Sequence, residues 1–90
     1  METHTDTLLF FYGADCEHCK DMEGLVARLV AEGVPIVHKE VYNDKDNENL
    51  MVSLDTEPCG GVPFFYNTKS KHSICGEASY EELKEWAKGE

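Results

Sequence analysis

The sequence predicts an α/β fold, a three-layer α/β/α sandwich in which helices cover both faces of a four-stranded mixed sheet. The predicted order of elements is β-α-β-α-β-β-α. Two apolar runs, residues 7–12 (TLLFFY) and 35–42 (PIVHKEVY), have the length and composition of strands. An apolar repeat of helical period separates them, which predicts a right-handed crossover between parallel strands. A hairpin and a capped helix complete the chain.

The first predicted helix spans residues 17–31. It begins after Gly13 breaks the first strand, and Gly33 and Pro35 end it. Its apolar residues recur at i, i+3, i+4, i+7 and i+8, which gives one core-facing stripe. The stripe consists of Met22, Leu25, Val26, Leu29 and Val30. Residues 42–49 (YNDKDNEN) are polar and predict a turn that leads into a short helix carrying Leu50, Met51 and Leu54.

The second half of the chain begins with a predicted hairpin. Residues 62–66 and 71–75 have the composition of short strands, and residues 67–70 (NTKS) supply the turn between them. Gly76 ends the second strand. The hairpin therefore adds antiparallel strands to the sheet that the crossover begins.

The last predicted helix starts at a capping box. Ser79 and Glu82 have the S-x-x-E spacing of that motif. One side of the helix is apolar and is formed by Tyr80, Leu83, Trp86 and Ala87. Because the chain has no internal repeat, low-complexity tract or linker, we expect one domain over residues 1–90.

The net charge of the chain excludes some classes of binding partner. The 90 residues include 18 acidic and 8 basic side chains, which give a net charge of −10. Nucleic acid and anionic membranes repel such a surface, so we expect neither as a partner. No apolar run is long enough for a signal peptide or a membrane span, which predicts a cytoplasmic protein. In that compartment four cysteines favour catalytic or metal-binding thiols over a disulfide scaffold.

Two cysteines three positions apart follow the first strand. Cys16 lies where the strand turns into the helix, and there free N–H groups and the helix dipole stabilise a thiolate. A thiol whose pKa falls toward neutrality is the nucleophile of thiol–disulfide exchange. Cys19 is one helical turn further on and can attack a mixed disulfide formed at Cys16. The spacing therefore predicts an exposed, attacking Cys16 and a sheltered, resolving Cys19.

His18, between the two cysteines, is a further candidate catalytic residue. A donor or partial positive charge near the Cys16 sulfur stabilises the reduced form and makes the couple more oxidising. Asp15 and Glu17 act in the opposite direction, because neighbouring carboxylates disfavour a thiolate. The residue types leave the sign of the net effect open.

These motifs together resemble the thioredoxin-like superfamily, along essentially the whole chain. A strand leads into a helix whose start carries Cys16 and Cys19. A Gly-Val-Pro sequence at residues 61–63 then precedes a hairpin, and Gly76 precedes the last helix. The resemblance implies a thiol–disulfide oxidoreductase that uses the cysteine pair as its redox-active disulfide and needs no other cofactor.

The resemblance also implies a substrate groove. It implies that the peptide bond between Val62 and Pro63 is cis, that Pro63 lies beside the cysteine pair, and that the Val62 backbone pairs with an extended substrate. Gly61 precedes the hairpin and Gly76 follows it, and these two glycines complete the expected substrate-binding set.

Several residues depart from the pattern of thioredoxins. Only six residues precede the first strand, so the chain is closer in size to glutaredoxins and to short archaeal-type relatives. Glu17 and His18 replace the Gly-Pro of the family's usual motif. Phe10 occupies the position of the buried Asp that accepts the proton of the resolving thiol. His18, Lys39 or water would have to take over that role.

Glutathione is disfavoured as a partner. Glutaredoxins usually carry a Thr before the cis proline, basic residues for the glutathione carboxylates and a Gly-Gly pair after the hairpin. Here Val62 takes the first position, the residues around the cysteines are acidic, and Glu77 follows Gly76. We therefore expect a monomer that exchanges electrons with protein disulfides and with an upstream reductase.

Cys59 and Cys75 leave three alternatives open. If the hairpin is symmetric about Thr68 and Lys69, Cys75 lies opposite Val62, and Cys59 lies further along the same edge. Both could be separate thiols that behave as small hydrophobic side chains. They could form a second disulfide, provided that their Cα atoms lie within about 7 Å. Cys59 could also serve as an additional resolving or metal-binding thiol.

The alternative functions are zinc binding and redox-inert partner binding on the same fold. A zinc site needs four ligands, and the second cysteine pair is too widely spaced for a usual structural zinc motif. Its ligands would be drawn from Cys16, Cys19, Cys59, Cys75, His18 and His72. The spacing favours redox chemistry, and no metal site is predicted.

Overall fold

The computed structural model describes residues 7–55 and 59–89. Its elements follow the predicted order β-α-β-α-β-β-α. They are β1 (Leu8–Tyr12), α1 (Glu17–Ala31), β2 (Ile36–Glu40), α2 (Lys45–Leu54), β3 (Phe64–Asn67), β4 (Ser73–Cys75) and α3 (Tyr80–Lys88). The expectation of no signal peptide includes residues 1–6, which lie outside the described residues. No helix in the described ranges is long and apolar enough to cross a bilayer.

The sheet is mixed and has the strand order β2-β1-β3-β4. β1 and β2 are parallel, whereas β3 is antiparallel to both β1 and β4. The predicted parallel pairing of the two strands that flank α1 and the predicted hairpin are both confirmed. This topology places the ends of β1, β2 and β4 and the start of β3 at one edge of the sheet. We call this edge the carboxyl edge.

Helices cover both faces of the sheet. Because successive side chains of a strand point to opposite faces, β1 contributes to two cores. One core holds Leu8 and Phe10 together with apolar residues of α1 and α3. The other holds Leu9 and Phe11 together with Met51 of α2. The continuous apolar run of β1 is therefore explained by its central position with both faces covered.

The last helix is held in place by hydrogen bonds as well as by apolar contacts. The Ser79 and Glu82 side chains form the predicted capping box, with both of its bonds present. The indole N–H of the buried Trp86 donates to the His72 carbonyl oxygen at 3.1 Å. The Asn67 side-chain amide donates to the Trp86 carbonyl oxygen at 3.0 Å. α3 is thereby fixed to the hairpin end that lies opposite the carboxyl edge.

The predicted register of the hairpin is wrong. Cys75 lies opposite Phe64 and not opposite Val62, so the turn is centred one residue later than the symmetric prediction. The reason is Asn67, which stays in β3 while its side-chain oxygen accepts hydrogen bonds from the backbone N–H groups of Lys69 and Ser70 at 3.0 and 3.1 Å. A side chain that takes the place of a backbone acceptor in this way shifts a tight turn along the chain.

The boundary predicted for α2 is also wrong. Residues 42–49 were expected to form a turn, but the helix already begins at Lys45. The Asp44 side chain accepts a hydrogen bond from the Asn47 N–H at 3.1 Å and so caps the helix. The polar composition of this stretch reflects an exposed first turn. The structure also ends β2 at Glu40, two residues before the end of the predicted strand.

Candidate functional site

The carboxyl edge brings most of the predicted site residues together. Cys16 follows β1, the Val62–Pro63 pair precedes β3, and Cys75 ends β4. These three segments are distant in sequence but adjacent in the sheet, because β1 and β4 both pair with β3. The site therefore depends on strand order, which no local sequence motif contains.

Cys16 is the N-cap residue of α1. Its backbone is extended, and its sulfur accepts a hydrogen bond from the Cys19 N–H at 3.2 Å. The two side chains form a disulfide with a Cα separation of 5.2 Å. A backbone N–H that points at this sulfur also stabilises the thiolate formed when the disulfide opens. Cys16 therefore lies at the helix start, as predicted, and its sulfur accepts a backbone hydrogen bond there.

The two cysteines differ less in exposure than the sequence predicts. Cys16 is only 8% exposed, and Cys19 is fully buried. The expectation of an exposed Cys16 is therefore wrong, although Cys16 remains the more accessible residue of the pair. A neighbouring loop lies against it, because the Val62 carbonyl oxygen is 3.9 Å from the Cys16 sulfur.

The predicted substrate-binding residues occupy that loop and its neighbour. The peptide bond between Val62 and Pro63 is cis, as the resemblance implies. The Gly76 N–H donates to the Pro63 carbonyl oxygen at 2.9 Å, which connects the end of β4 to this loop. Gly76 has a φ of 87°, a conformation that favours glycine. Gly61, which precedes Val62 in the chain, is half-buried.

Glu40 organises the segment that leads to Cys16. This residue is not among the site residues predicted from the sequence. Its carboxylate accepts hydrogen bonds from the backbone N–H groups of Ala14, Tyr42 and Asn43 at 3.0, 3.0 and 2.8 Å. Partial burial acts to raise the pKa of Glu40, but the three N–H donors outweigh it and hold the pKa below its usual value. In the sequence, the only indication of this role is that Glu40 is an acidic residue near the end of a predicted strand.

Gly13 makes a close approach in the same segment. A Cβ atom at this position would overlap the ring of Tyr42. The Gly13 carbonyl oxygen accepts a hydrogen bond from the Cys16 N–H at 3.2 Å. The glycine that ends β1 therefore also lets the chain turn tightly into α1.

Among the described residues, the hydrogen-bond partner of the His18 side chain is Glu77 and neither sulfur. Its ring Nδ1 lies 2.6 Å from a carboxylate oxygen of Glu77, and its side chain is 74% exposed. The hydrogen bond to Glu77 and the charge of that carboxylate raise the pKa of His18. Within the described part of the chain, no hydrogen bond joins His18 to Cys16. Its predicted influence on the thiolate must therefore act through space, with Glu77 as its immediate partner.

Lys39, the other side chain predicted as a proton acceptor, lies on the opposite face of the sheet from Cys19. Phe10 is fully buried and stacks on Phe65 with ring centroids 4.9 Å apart, so this position offers no proton acceptor. Lys39 is opposite Phe11 in the parallel register, so it projects toward the α2 face of the sheet. Cys19 lies on α1, which packs on the other face.

Cys59 and Cys75 are joined in a second disulfide. Their Cα atoms are 5.5 Å apart, which meets the distance condition for pairing. Cys75 is exposed and Cys59 is half-buried. Of the three alternatives for these residues, the structure contains the disulfide, and all four cysteines of the chain are paired.

The structure does not gather the ligands that a zinc site would need. The four sulfurs are divided between two disulfides. His72 directly precedes β4, so it lies at the sheet edge opposite the carboxyl edge. A group formed by His18, Asp21 and Glu77 has its ligand atoms within 4.8 Å of one another, but all three residues are exposed. Such groups are common on protein surfaces that bind no metal.

Comparisons of the chain with protein-family models, with curated proteins and with solved structures found no match. The functional conclusion therefore depends on the residues and on their geometry.

Proposed function

We propose that this protein is a thiol–disulfide oxidoreductase with a thioredoxin-like fold, and that it acts on protein disulfides. One observation carries the proposal. The Cys16 sulfur caps α1, accepts the Cys19 N–H and is bonded to the fully buried Cys19 sulfur. A purely structural disulfide does not require one sulfur to occupy the N-terminal end of a helix, whereas an attacking thiolate is stabilised there.

The two cysteines take different roles because their surroundings differ. Cys16 keeps a small accessible area and the N–H donor that stabilises its thiolate. Cys19 has no accessible area, so an incoming disulfide reaches Cys16 first. Cys19 lies close enough to displace a substrate bound at Cys16, since the two sulfurs are already bonded in the structure.

Reduction of a substrate proceeds in two exchanges. The Cys16 thiolate attacks one sulfur of the substrate disulfide, a mixed disulfide forms, and the other substrate sulfur leaves as a thiolate. The Cys19 thiolate then attacks the Cys16 sulfur, the Cys16–Cys19 disulfide forms, and the second substrate sulfur leaves. The substrate gains two electrons from the dithiol, and the two thiol protons end on its sulfurs. An upstream reductase returns two electrons to the protein, and the reverse sequence oxidises a substrate.

The surroundings of Cys16 favour a protein substrate. The Val62 carbonyl oxygen is 3.9 Å from the sulfur and offers an acceptor to an extended chain that docks there. The described residues next to the cysteines include the acidic Asp15, Glu17 and Glu77. These carboxylates repel the anionic glutathione, and they attract basic segments of a protein.

Two single variants test the proposed function. Cys16→Ser should abolish reduction of insulin disulfides, because the attacking sulfur is lost. Cys19→Ser should instead accumulate a mixed disulfide, which mass spectrometry detects as a covalent adduct on Cys16. The double variant C16S/C19S keeps the Cys59–Cys75 pair and is the matched control, since any adduct that it forms comes from those two residues.

The outcomes separate the proposed function from its alternatives. Wild-type turnover by both single variants would refute the assignment. Stoichiometric zinc in freshly purified reduced protein that protects Cys16 from alkylation would support a metal-binding module instead. A Cys16 thiol that titrates near the unperturbed value of about 8.5 would support a redox-inert binding module.

A further inference from the structure

Glu77 is the residue that contacts the side chain between the two cysteines. It lies in the connection between β4 and α3, 59 positions from His18, and reaches the His18 ring at 2.6 Å. The same connection is fixed beside α1, since the Ala78 N–H points at the Met22 sulfur at 3.4 Å and the Gly76 N–H bonds to Pro63. Glu77 is therefore held next to the first turn of α1.

Among the residues that the structure describes, the charges that act on His18 are all negative. Glu17 and Asp21 face it from its own helix, and Glu77 faces it from the β4–α3 connection. A protonated His18 paired with an ionised Glu77 has no net charge. The positive charge that the sequence places between the cysteines is thus cancelled by a residue far away in the chain.

We propose that Glu77 is a positioning residue that sets the redox character of the Cys16–Cys19 pair by holding His18 and neutralising its charge. This proposal rests on the proposed oxidoreductase function. A lone imidazolium near the sulfur would stabilise the thiolate and make the protein an oxidant. With Glu77 bound to it, His18 supplies little net stabilisation, and the pair is biased toward a reductant.

The test is Glu77→Gln, which removes the charge and keeps an acceptor oxygen. By Coulomb's law with an effective dielectric constant of about 40–80, removing one unit charge about 8 Å from a thiolate changes the thiolate equilibrium about two- to sixfold. The Cys16 thiol pKa should therefore fall by roughly 0.3–0.8 units in the variant. The equilibrium with glutathione should shift by a similar factor toward the dithiol, or about 9–23 mV at 29.6 mV per tenfold.

The effect of Glu77→Gln should also depend on pH. At pH 5.5 His18 is protonated with or without Glu77, so the variant gains a full unit of positive charge. At pH 7.5 His18 in the variant is mostly neutral, since an unpaired histidine titrates near 6.5, and the gain is smaller. The ratio of variant to wild-type Cys16 alkylation rate, measured by mass spectrometry, should therefore be larger at pH 5.5 than at pH 7.5.

Two further variants make the test specific. Glu85→Gln removes the same charge from an exposed position on α3 next to Trp86, which is bonded to the hairpin end opposite the carboxyl edge, and it should leave the potential unchanged. In a His18→Gln background, Glu77→Gln should show a weaker pH dependence, because only the Cys16 thiol then titrates. Thermal unfolding of each variant confirms that all of them fold.

The results distinguish failure of this proposal from failure of the proposed function. If Cys16–Cys19 shows no reversible redox couple in the wild type, the oxidoreductase function fails. If the couple is present but Glu77→Gln matches Glu85→Gln in potential and in pH profile, the role of Glu77 is overturned and the function stands.

Discussion

Removing the second disulfide tests how much of the stability comes from one covalent bond. Cys59 and Cys75 are 16 positions apart, and the disulfide that joins them closes a loop containing the cis Pro63 and the β3–β4 hairpin. In the chain-entropy treatment a cross-link over a loop of this length stabilises the folded state by about 3 kcal/mol. A 90-residue domain has a total stability of roughly 5–15 kcal/mol, so the double variant C59S/C75S should remain folded with a clearly lower stability.

Urea unfolding followed by circular dichroism measures this difference. The wild type and C59S/C75S are compared with the Cys16–Cys19 disulfide intact, and the variant should unfold at lower urea with a free energy about 3 kcal/mol smaller. A strong reductant supplies the control, because it opens the disulfides of both proteins and should bring their unfolding curves together. A difference below about 1 kcal/mol under oxidising conditions would refute the loop-closure reasoning.

Three further predictions concern single side chains. Phe10→Ala should lower the free energy of unfolding by about 3–5 kcal/mol in urea titrations, since a fully buried aromatic ring is lost; a change below 2 kcal/mol would contradict this. Ser79→Ala should cost about 1 kcal/mol in thermal unfolding through loss of the capping box, and Ser79→Asp should recover most of it. Glu40→Gln should lower the melting temperature at pH 7. Because the pKa of Glu40 is lowered in the folded state, its contribution is complete above its unfolded value of 4.5 and should disappear as the pH falls through the folded value. An equal difference at pH 3 and pH 7 would contradict that assignment.

Elements with a strong periodic pattern could be predicted from the sequence. The α1 stripe and the α3 capping box each combine a repeat with a boundary signal, and both helices begin where the pattern places them. The N-terminal part of α2 could not be predicted, because an exposed first turn has no apolar residue to reveal its period. The hairpin register depends on the side chain of Asn67. Its hydrogen bonds to the turn cannot be predicted from the alternation of residues in a strand.

The candidate site was predictable where its residues are neighbours in sequence. The Cys-x-x-Cys spacing places both sulfurs on one turn of α1, and it needs no tertiary information. Glu40 and Glu77 could not be predicted, because each acts on a segment 26 or more positions away. Their partners are set by strand order and by the path of the β4–α3 connection. The same limitation left the pairing of Cys59 with Cys75 open.

The second disulfide lies at the start of the loop that faces the Cys16 sulfur, and Cys59 and Val62 of this loop also pack against the core that contains Met51. The backbone N–H groups of residues 60–62 donate no hydrogen bond to any described residue. The loop is instead held at its ends, by Cys59 through its disulfide and its N–H bond to Asp55 at 2.8 Å, and by Pro63 through the Gly76 N–H. Both ends are attached to the terminus of β4. Because Val62 lies between these ends and its carbonyl oxygen is 3.9 Å from the Cys16 sulfur, the Cys59–Cys75 bond also constrains the loop beside the Cys16–Cys19 pair.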